Sequence, residues 1–511
     1  MSSFASAPSY RLLPDTLPLD VDDVAAVACG KAWLTVSPEI ESRLAAARWV
    51  VERSVAEQLP IYGLTTGLGA GVDTTLDADD LVAFQNRVPL ARSVAVGDSV
   101  PREAVRAMMV ARACGLAAGG SGVSSIVLTR LIDAINAGFH PVIPRHGSLG
   151  AADLAQLAQM TRALMGDGRV EWQGHVLDAG EALARAGLVP LELGPRDGHA
   201  LVAANSFSVG QACLRLADIG RLLDWSCLAA ALNCEGFRAN TNAFDERAMA
   251  ARPAFGQRQA ASRLLAHLRG GELMAEGAAR KLQDPLSYRC LPQILGAVMH
   301  ALDEAREATR IELASGGDNP VILADEALVL PNGNFDTTAF TLSWARLALA
   351  IAQSANATAH RIMKLMSPHD SGLPRFLTPL GQSRTGFATV QKTVSMLEAE
   401  IRHFAAPMPM SAIPVADGVE DHASLAPSTL ANVAEVVERM RWLVSIELVV
   451  SAQAVDLRSA SNALGHGTRK ALAFVREHVA ALHEDRPHNC DFETINRLIT
   501  KQISPTADLD P

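Results

Sequence analysis

The tightest constraint on this chain is the recurrence of large apolar residues at helical spacing over stretches too long for strands. From Phe340 they fall at Phe340, Trp344, Leu347 and Ile351, a stripe of i, i+4, i+7 and i+11 on one helix face. A second segment carries Val433, Val437, Met440 and Val444 on one face, with Glu435 and Arg439 paired at i,i+4 outside it. Similar patterns cover about 203–237, 293–314, 341–366 and 389–404. Segments of this length predict a mainly α fold built on a long central helical bundle.

Residues 1–200 read differently, with shorter helical patterns and more glycine and proline. A chain of 511 residues exceeds the size at which one core stops growing. The expected division is an N-terminal active-site domain over 1–200, a long-helix bundle over 201–470, and a C-terminal helical segment and tail over 471–511. The stretch Gly187 to Gly198, with Pro190 and Pro195, is the boundary candidate. Glycine loops occur at Gly63–Gly69, Gly119–Gly122 and Gly147–Gly150, but no GxxxxGK followed by Ser or Thr, and no strand-flanked GxGxxG, accompanies them. A nucleotide site is not expected.

Composition excludes further classes. Hydrophobic residues at 49% and charged residues at 20%, with mean hydropathy +0.14, describe a core-rich globular chain and not a disordered one. Lys+Arg 45 against Asp+Glu 55 leaves −10, which argues against nucleic-acid or anionic-membrane partners. The odd set Cys29, Cys114, Cys213, Cys227, Cys234, Cys290 and Cys490 contains no CxxC pair, so neither a disulfide framework nor a zinc site is expected. Met1 to Asp20 lacks a basic start followed by an apolar stretch, and no run of about 18 apolar residues follows. A cytoplasmic protein is the expectation.

The chemistry-bearing residues fall in five ordered motifs. Tyr62-Gly63-Leu64-Thr65-Thr66-Gly67-Leu68-Gly69 sets one of only three tyrosines against a glycine-rich loop. Gln283-Asp284-Pro285-Leu286-Ser287-Tyr288-Arg289 follows, then Asp318-Asn319-Pro320, Gly333-Asn334-Phe335 and Glu420-Asp421-His422-Ala423-Ser424. In this order and spacing the chain resembles the histidine/phenylalanine ammonia-lyase superfamily, from Leu19 to beyond Ser424. The resemblance implies a mainly helical homotetramer whose active sites are each assembled from three subunits. It also implies that Tyr62 is the base removing a β-proton and that Arg289 holds the substrate carboxylate as a bidentate charge-assisted pair. Gln283 matches a polar site residue, Phe335 an aromatic wall, and Glu420 a carboxylate near the substrate ring or amine.

One departure matters most. The family builds its electrophile, a methylidene-imidazolone, from an Ala-Ser-Gly tripeptide, whereas this chain reads Gly147-Ser148-Leu149-Gly150-Ala151-Ala152-Asp153-Leu154. Alanine has no hydroxyl to lose as water, and the missing glycine removes the unhindered amide that closes the ring. The degenerate loop Gly150, Ala151, Ala152, Asp153 is therefore expected to form no prosthetic group. A literal Ala314-Ser315-Gly316 lies elsewhere, before Asp318. Other departures are Leu286 where the family has Tyr, with Tyr288 two residues on; Asp336 where it often has His; and Arg384 where it has a small polar residue. Asn205 stands two residues from the position of a family Asn. Tyr288, Asp336, Asn205 and Arg384 join the candidate substrate contacts.

A quaternary trimethylammonium has no lone pair to add to an electrophile and leaves directly as trimethylamine, so losing the electrophile suits a betaine substrate. Glu420-Asp421-His422-x-Ser424 resembles the histidine branch and favours an imidazole-type ring. Leu90-Ala91-Arg92 stands where that branch has Leu-Ser-His, and an arginine, which only donates hydrogen bonds, suits a thione sulfur. Together these features imply a small-molecule betaine substrate, ergothioneine, converted to thiourocanate and trimethylamine without a cofactor or metal. Two alternatives stay open: a histidine-type ammonia-lyase or aminomutase with an unusual electrophile, and a catalytically inactive tetrameric scaffold.

Overall fold

The computed structural model describes residues 9–13, 19–379, 381–408, 413–501 and 506. Helices dominate, and the longest are Ser206–Phe237, Leu291–Ala314, Thr338–Leu365 and Ala426–Leu457. These match the periodic stretches closely. The stripe Phe340, Trp344, Leu347, Ile351 is buried along its length, as are Val433, Val437, Met440 and Val444. Outside that second stripe Arg439 reaches Glu435 at 2.6 Å, the expected i,i+4 pair. Among the described residues no helix is long and apolar enough to cross a membrane, and no three His, Cys, Asp or Glu side chains cluster as a metal site.

The chain divides into two compact units that are discontinuous in sequence: 1–217, 306–342 and 408–430 form the first, and 218–305, 343–407 and 431–511 the second. This differs from three consecutive segments, because segments 306–342 and 408–430 return to the first unit. The expected boundary, 187–198, lies inside the first unit. Its Asp197 is buried and accepts hydrogen bonds from the Ser124 amide at 2.8 Å and the Gly194 amide at 2.9 Å, with Arg48 beside it at 3.3 Å. The glycines and prolines there make a tied-down turn, not a linker.

In the first unit, helix Arg102–Ala117 is buried around its whole circumference from Ala104 onward, so it forms the centre of the packing. Its Arg106 donates to Val27 O at 2.8 Å, Ala28 O at 3.0 Å and Ile135 O at 2.8 Å. One buried cation thus satisfies the C-terminal carbonyls of helices Val21–Ala28 and Ser125–Asn136. Small sheets finish the unit: a parallel pair, Ser9–Leu13 with Ala32–Val36; an antiparallel pair, Val96–Ser99 with Pro144–His146; a three-stranded sheet, His140–Pro141, Arg169–Trp172 and His175–Asp178; and a hairpin, Val321–Leu323 with Leu328–Leu330.

In the second unit a buried polar network crosses the helices. Arg361 meets Glu447 at 2.8 Å, Glu447 accepts from Asn233 at 3.1 Å, and the Tyr288 hydroxyl donates to Asn233 Oδ1 at 2.7 Å. Each of these four side chains has its partner, the condition under which buried polar groups are tolerated.

Candidate active site

A cavity of about 480 Å³ opens in the first unit where five loops meet, within the range typical of small-molecule sites. Tyr62 lines it, on a tight turn in which the amides of Leu64, Thr65 and Thr66 all donate to Ile61 O at 3.1, 3.0 and 3.1 Å. The phenol oxygen accepts the Gly69 amide at 3.0 Å, which fixes the side chain against its own glycine loop. Gly63 is required twice over. Its φ is +65°, and a Cβ there would sit 2.3 Å from Nδ1 of His199.

The loop 147–153 forms a second wall through Ala151 and Ala152. Asp153 at its end is fully buried, accepting from Ser148 Oγ at 2.6 Å and from the Ser208 amide at 2.8 Å; burial raises its pKa while these hydrogen bonds oppose the rise. Gly150 has φ +81°, and a Cβ there would meet Ser424 Oγ at 2.5 Å. Ser424 itself donates to Gly150 O at 3.1 Å, so the last residue of the Glu420 motif anchors this loop. Ala152 adopts φ +69°, left-handed backbone that an alanine takes only under constraint. Its amide donates to Asn205 Oδ1 at 3.1 Å, while Asn205 Nδ2 donates to Phe335 O at 2.7 Å. With a methyl side chain and a committed amide at this position, the residues present do not fit a prosthetic group made from this loop. Ser315, in the other Ala-Ser-Gly, is exposed just beyond the helix Leu291–Ala314 and donates to Ile311 O in its last turn.

The third wall is acidic. Asp336, Glu420 and Asp421 line the cavity, Asp336 lying 3.3 Å from His422 Nε2 and accepting from Thr338 N at 3.0 Å. Behind it Glu312 is pushed up to about 7, first by burial and then by the Asp336 charge. Phe335, Val72 and Val419 supply apolar surface between these groups.

Cationic groups flank the site without lining the cavity. Arg92 is half-buried, its guanidinium making no hydrogen bond or ion pair among the described residues. Burial lowers its pKa, opposed by the charges of Tyr62 and Glu420, which places all three within one electrostatic neighbourhood. Deeper in, Arg196 donates to Ser121 O at 3.1 Å and Pro320 O at 2.8 Å, and Arg112 pairs with Asp318 at 2.9 Å. Burial brings Arg196 down to about 10, with Asp318 opposing. Arg196 Nη1 also reaches, at 2.8 Å, Nδ1 of His199, a residue that sequence reasoning missed: a lone histidine in a glycine- and proline-rich stretch carries no pattern. It lines the cavity edge-on to Tyr62, with ring centroids 5.8 Å apart.

The remaining candidates lie elsewhere. Arg289 and Gln283 are exposed in the second unit and hydrogen-bonded to each other; neither lines the cavity. Arg384, also in the second unit, pairs with Glu484 at 2.9 Å. Tyr288 corrects an expectation. It is fully buried and stacked on Phe237 at 4.0 Å, so it belongs to the core and not to a substrate surface. Asn205 is 7% exposed with its amide engaged at both ends, which makes it a brace for the loop instead of a free substrate contact.

Comparison with known proteins agrees with this architecture. The family model for aromatic amino acid lyases matches residues 19–477. A histidine ammonia-lyase of Symbiobacterium thermophilum is 36% identical over 482 residues, covering 94% of this chain and 95% of the relative. Among solved structures, ergothionase from Treponema denticola, in complex with desmethyl-ergothioneine sulfonic acid, superposes with a TM-score of 0.92 at 32% identity, covering 96% of this chain and 98% of that one. The phenylalanine aminomutase of Pantoea agglomerans superposes equally well, 0.92 at 27% identity over 97% of this chain and 99% of that one.

Proposed function

The chain belongs to the aromatic amino acid lyase family of carbon–nitrogen lyases, and we propose that within it this protein eliminates trimethylamine from ergothioneine to give thiourocanate. The observation that carries the reading is the loop Gly150-Ala151-Ala152-Asp153, which holds no precursor for an electrophile yet still walls a cavity containing Tyr62. A substrate with a quaternary amine needs no such electrophile. Similarity to a solved ergothionase supports the same substrate class.

Tyr62 acts as the base. Its oxygen receives a backbone N–H and lies in the field of Arg92 and Arg196, an arrangement suited to an oxyanion. It takes the β-proton; the C–H electrons form the Cα–Cβ double bond, the Cα–N bond breaks, and nitrogen leaves with that pair as neutral trimethylamine. The proton then passes from Tyr62 to solvent. Glu420 accepts from a ring N–H. Asp336 is already engaged by His422 and Thr338, so the departing group faces Phe335, Val72 and Val419; a closer carboxylate would favour the cationic ground state over the transition state. In this reading Arg289 and Gln283, both exposed and hydrogen-bonded to each other, anchor the carboxylate in the cavity of another chain of a homotetramer.

The test is a parallel assay of purified protein on ergothioneine and on histidine. Trimethylamine and thiourocanate in equal amounts from the first, with no ammonia from the second, are expected. Ammonia from histidine without trimethylamine release overturns the reading.

A further inference from the structure

His199 is built to be one specific kind of hydrogen-bonding group. Arg196 Nη1 approaches its Nδ1 at 2.8 Å, and a guanidinium only donates, so Nδ1 is the acceptor. In the neutral ring the proton must then sit on Nε2. The ring is held neutral: burial first, then the charges of Arg196, Arg92 and Arg112, put its pKa well below the ordinary histidine value. Its backbone amide is pinned as well, donating to Gln85 Oε1 at 2.9 Å. The Nε2–H has no hydrogen-bond partner among the described residues, and the ring forms part of the cavity wall. The result is an oriented, uncharged donor with a fixed tautomer.

We propose that His199 determines specificity by donating its Nε2–H to the thione sulfur of the substrate ring. This rests on the thioimidazole reading above. A carboxylate is matched by a cation, which His199 does not become, whereas a neutral donor suits a polarisable acceptor carrying partial charge. The ring requires one acceptor-facing side and one donor-facing side. Glu420 and Asp421 on the acidic wall receive its N–H groups, and His199, also on the cavity wall, faces the sulfur, with the Arg92 charge nearby. As the β-proton leaves, electron density moves through the ring onto sulfur, and the hydrogen bond from His199 strengthens there.

Two substitutions separate this role from packing. In His199→Asn the Oδ1 atom can replace Nδ1 as the acceptor for Arg196, but nothing stands at Nε2. In His199→Gln the amide nitrogen reaches the Nε2 position. The measurement is calorimetric binding of thiourocanate and of urocanate, which differ by the sulfur, alongside trimethylamine release from ergothioneine. Wild type is expected to bind thiourocanate more tightly. His199→Asn should cut that preference by about tenfold or more, and His199→Gln should restore much of it. An unchanged preference in His199→Asn, or a wild type indifferent to the sulfur, overturns the proposal even if trimethylamine is released. Failure of trimethylamine release with the sulfur preference intact overturns the reaction and leaves the binding role of His199 standing.

Discussion

Tyr62 and Tyr288 are the same side chain in opposite settings. Tyr288 lies in the helical second unit, fully buried and stacked on Phe237, and its hydroxyl donates to Asn233. Burial first, then the neighbouring Cys234, Glu447 and Asp284 charges, drives its pKa well above the usual value, with Arg361 opposing. Tyr62 lies on a loop of the first unit, and its oxygen receives a hydrogen bond instead of giving one. A phenol that donates into a closed network is structural; one that accepts a backbone amide beside a cavity is available for proton transfer. The two surroundings differ in the same way. The second unit closes the Arg361, Glu447, Asn233 and Tyr288 network on itself, whereas around the site lie a left-handed alanine, an arginine without a hydrogen bond or ion pair among the described residues, and a carboxyl raised to about 7.

The sharpest way to break this contrast is to remove both hydroxyls. Tyr62→Phe should lower kcat for trimethylamine release by about 10²–10⁴-fold, at a stability cost of only about 0.5–1.5 kcal/mol from the part-buried Gly69 amide that loses its acceptor. Tyr288→Phe should leave kcat per folded molecule intact but cost about 1–3 kcal/mol, because Asn233 Oδ1 loses its buried donor. In the same network Glu447→Ala strands the Arg361 guanidinium in the core and should cost about 3–5 kcal/mol in denaturant unfolding. A large kcat effect from Glu447→Ala at full folding would dissolve the distinction between the two regions.

Glu312 brings pH into the comparison. Its carboxyl is raised in the folded state from 4.5 to about 7. Below about 4.5 both folded and unfolded states are protonated and nothing is lost; stability then falls as pH rises toward 7 and is constant above. Glu312→Gln should therefore stabilise by about 1–3 kcal/mol at pH 8 and have no effect at pH 4, read from urea unfolding at both values. The smallest effect expected is from Ala152→Gly. Relief of left-handed strain, partly offset by glycine's extra freedom in the unfolded chain, should add under about 1 kcal/mol. Activity should persist, since the loop contributes shape and not a reacting side chain.

The helices were legible because a 3.6-residue period survives over 24 to 32 residues, longer than any competing pattern. Tyr62, Phe335, Asp336 and Glu420 were legible because they sit in motifs, and the cavity gathers all four. His199 and the bracing role of Asn205 were not. Each works through contacts made only on folding, Arg196 to Nδ1 of His199, and Ala152 N and Phe335 O to the Asn205 amide, and such contacts leave no periodicity. Tyr288 was misread because adjacency to Arg289 in sequence says nothing of direction: one ring turns into the core while the next side chain is exposed.

An active protein without a self-made electrophile is the central claim, and intact mass spectrometry of a preparation shown to release trimethylamine tests it most directly. The mass of the unmodified chain is predicted, with peptides spanning 147–154 and 314–316 unaltered. A deficit of water in either segment would contradict it.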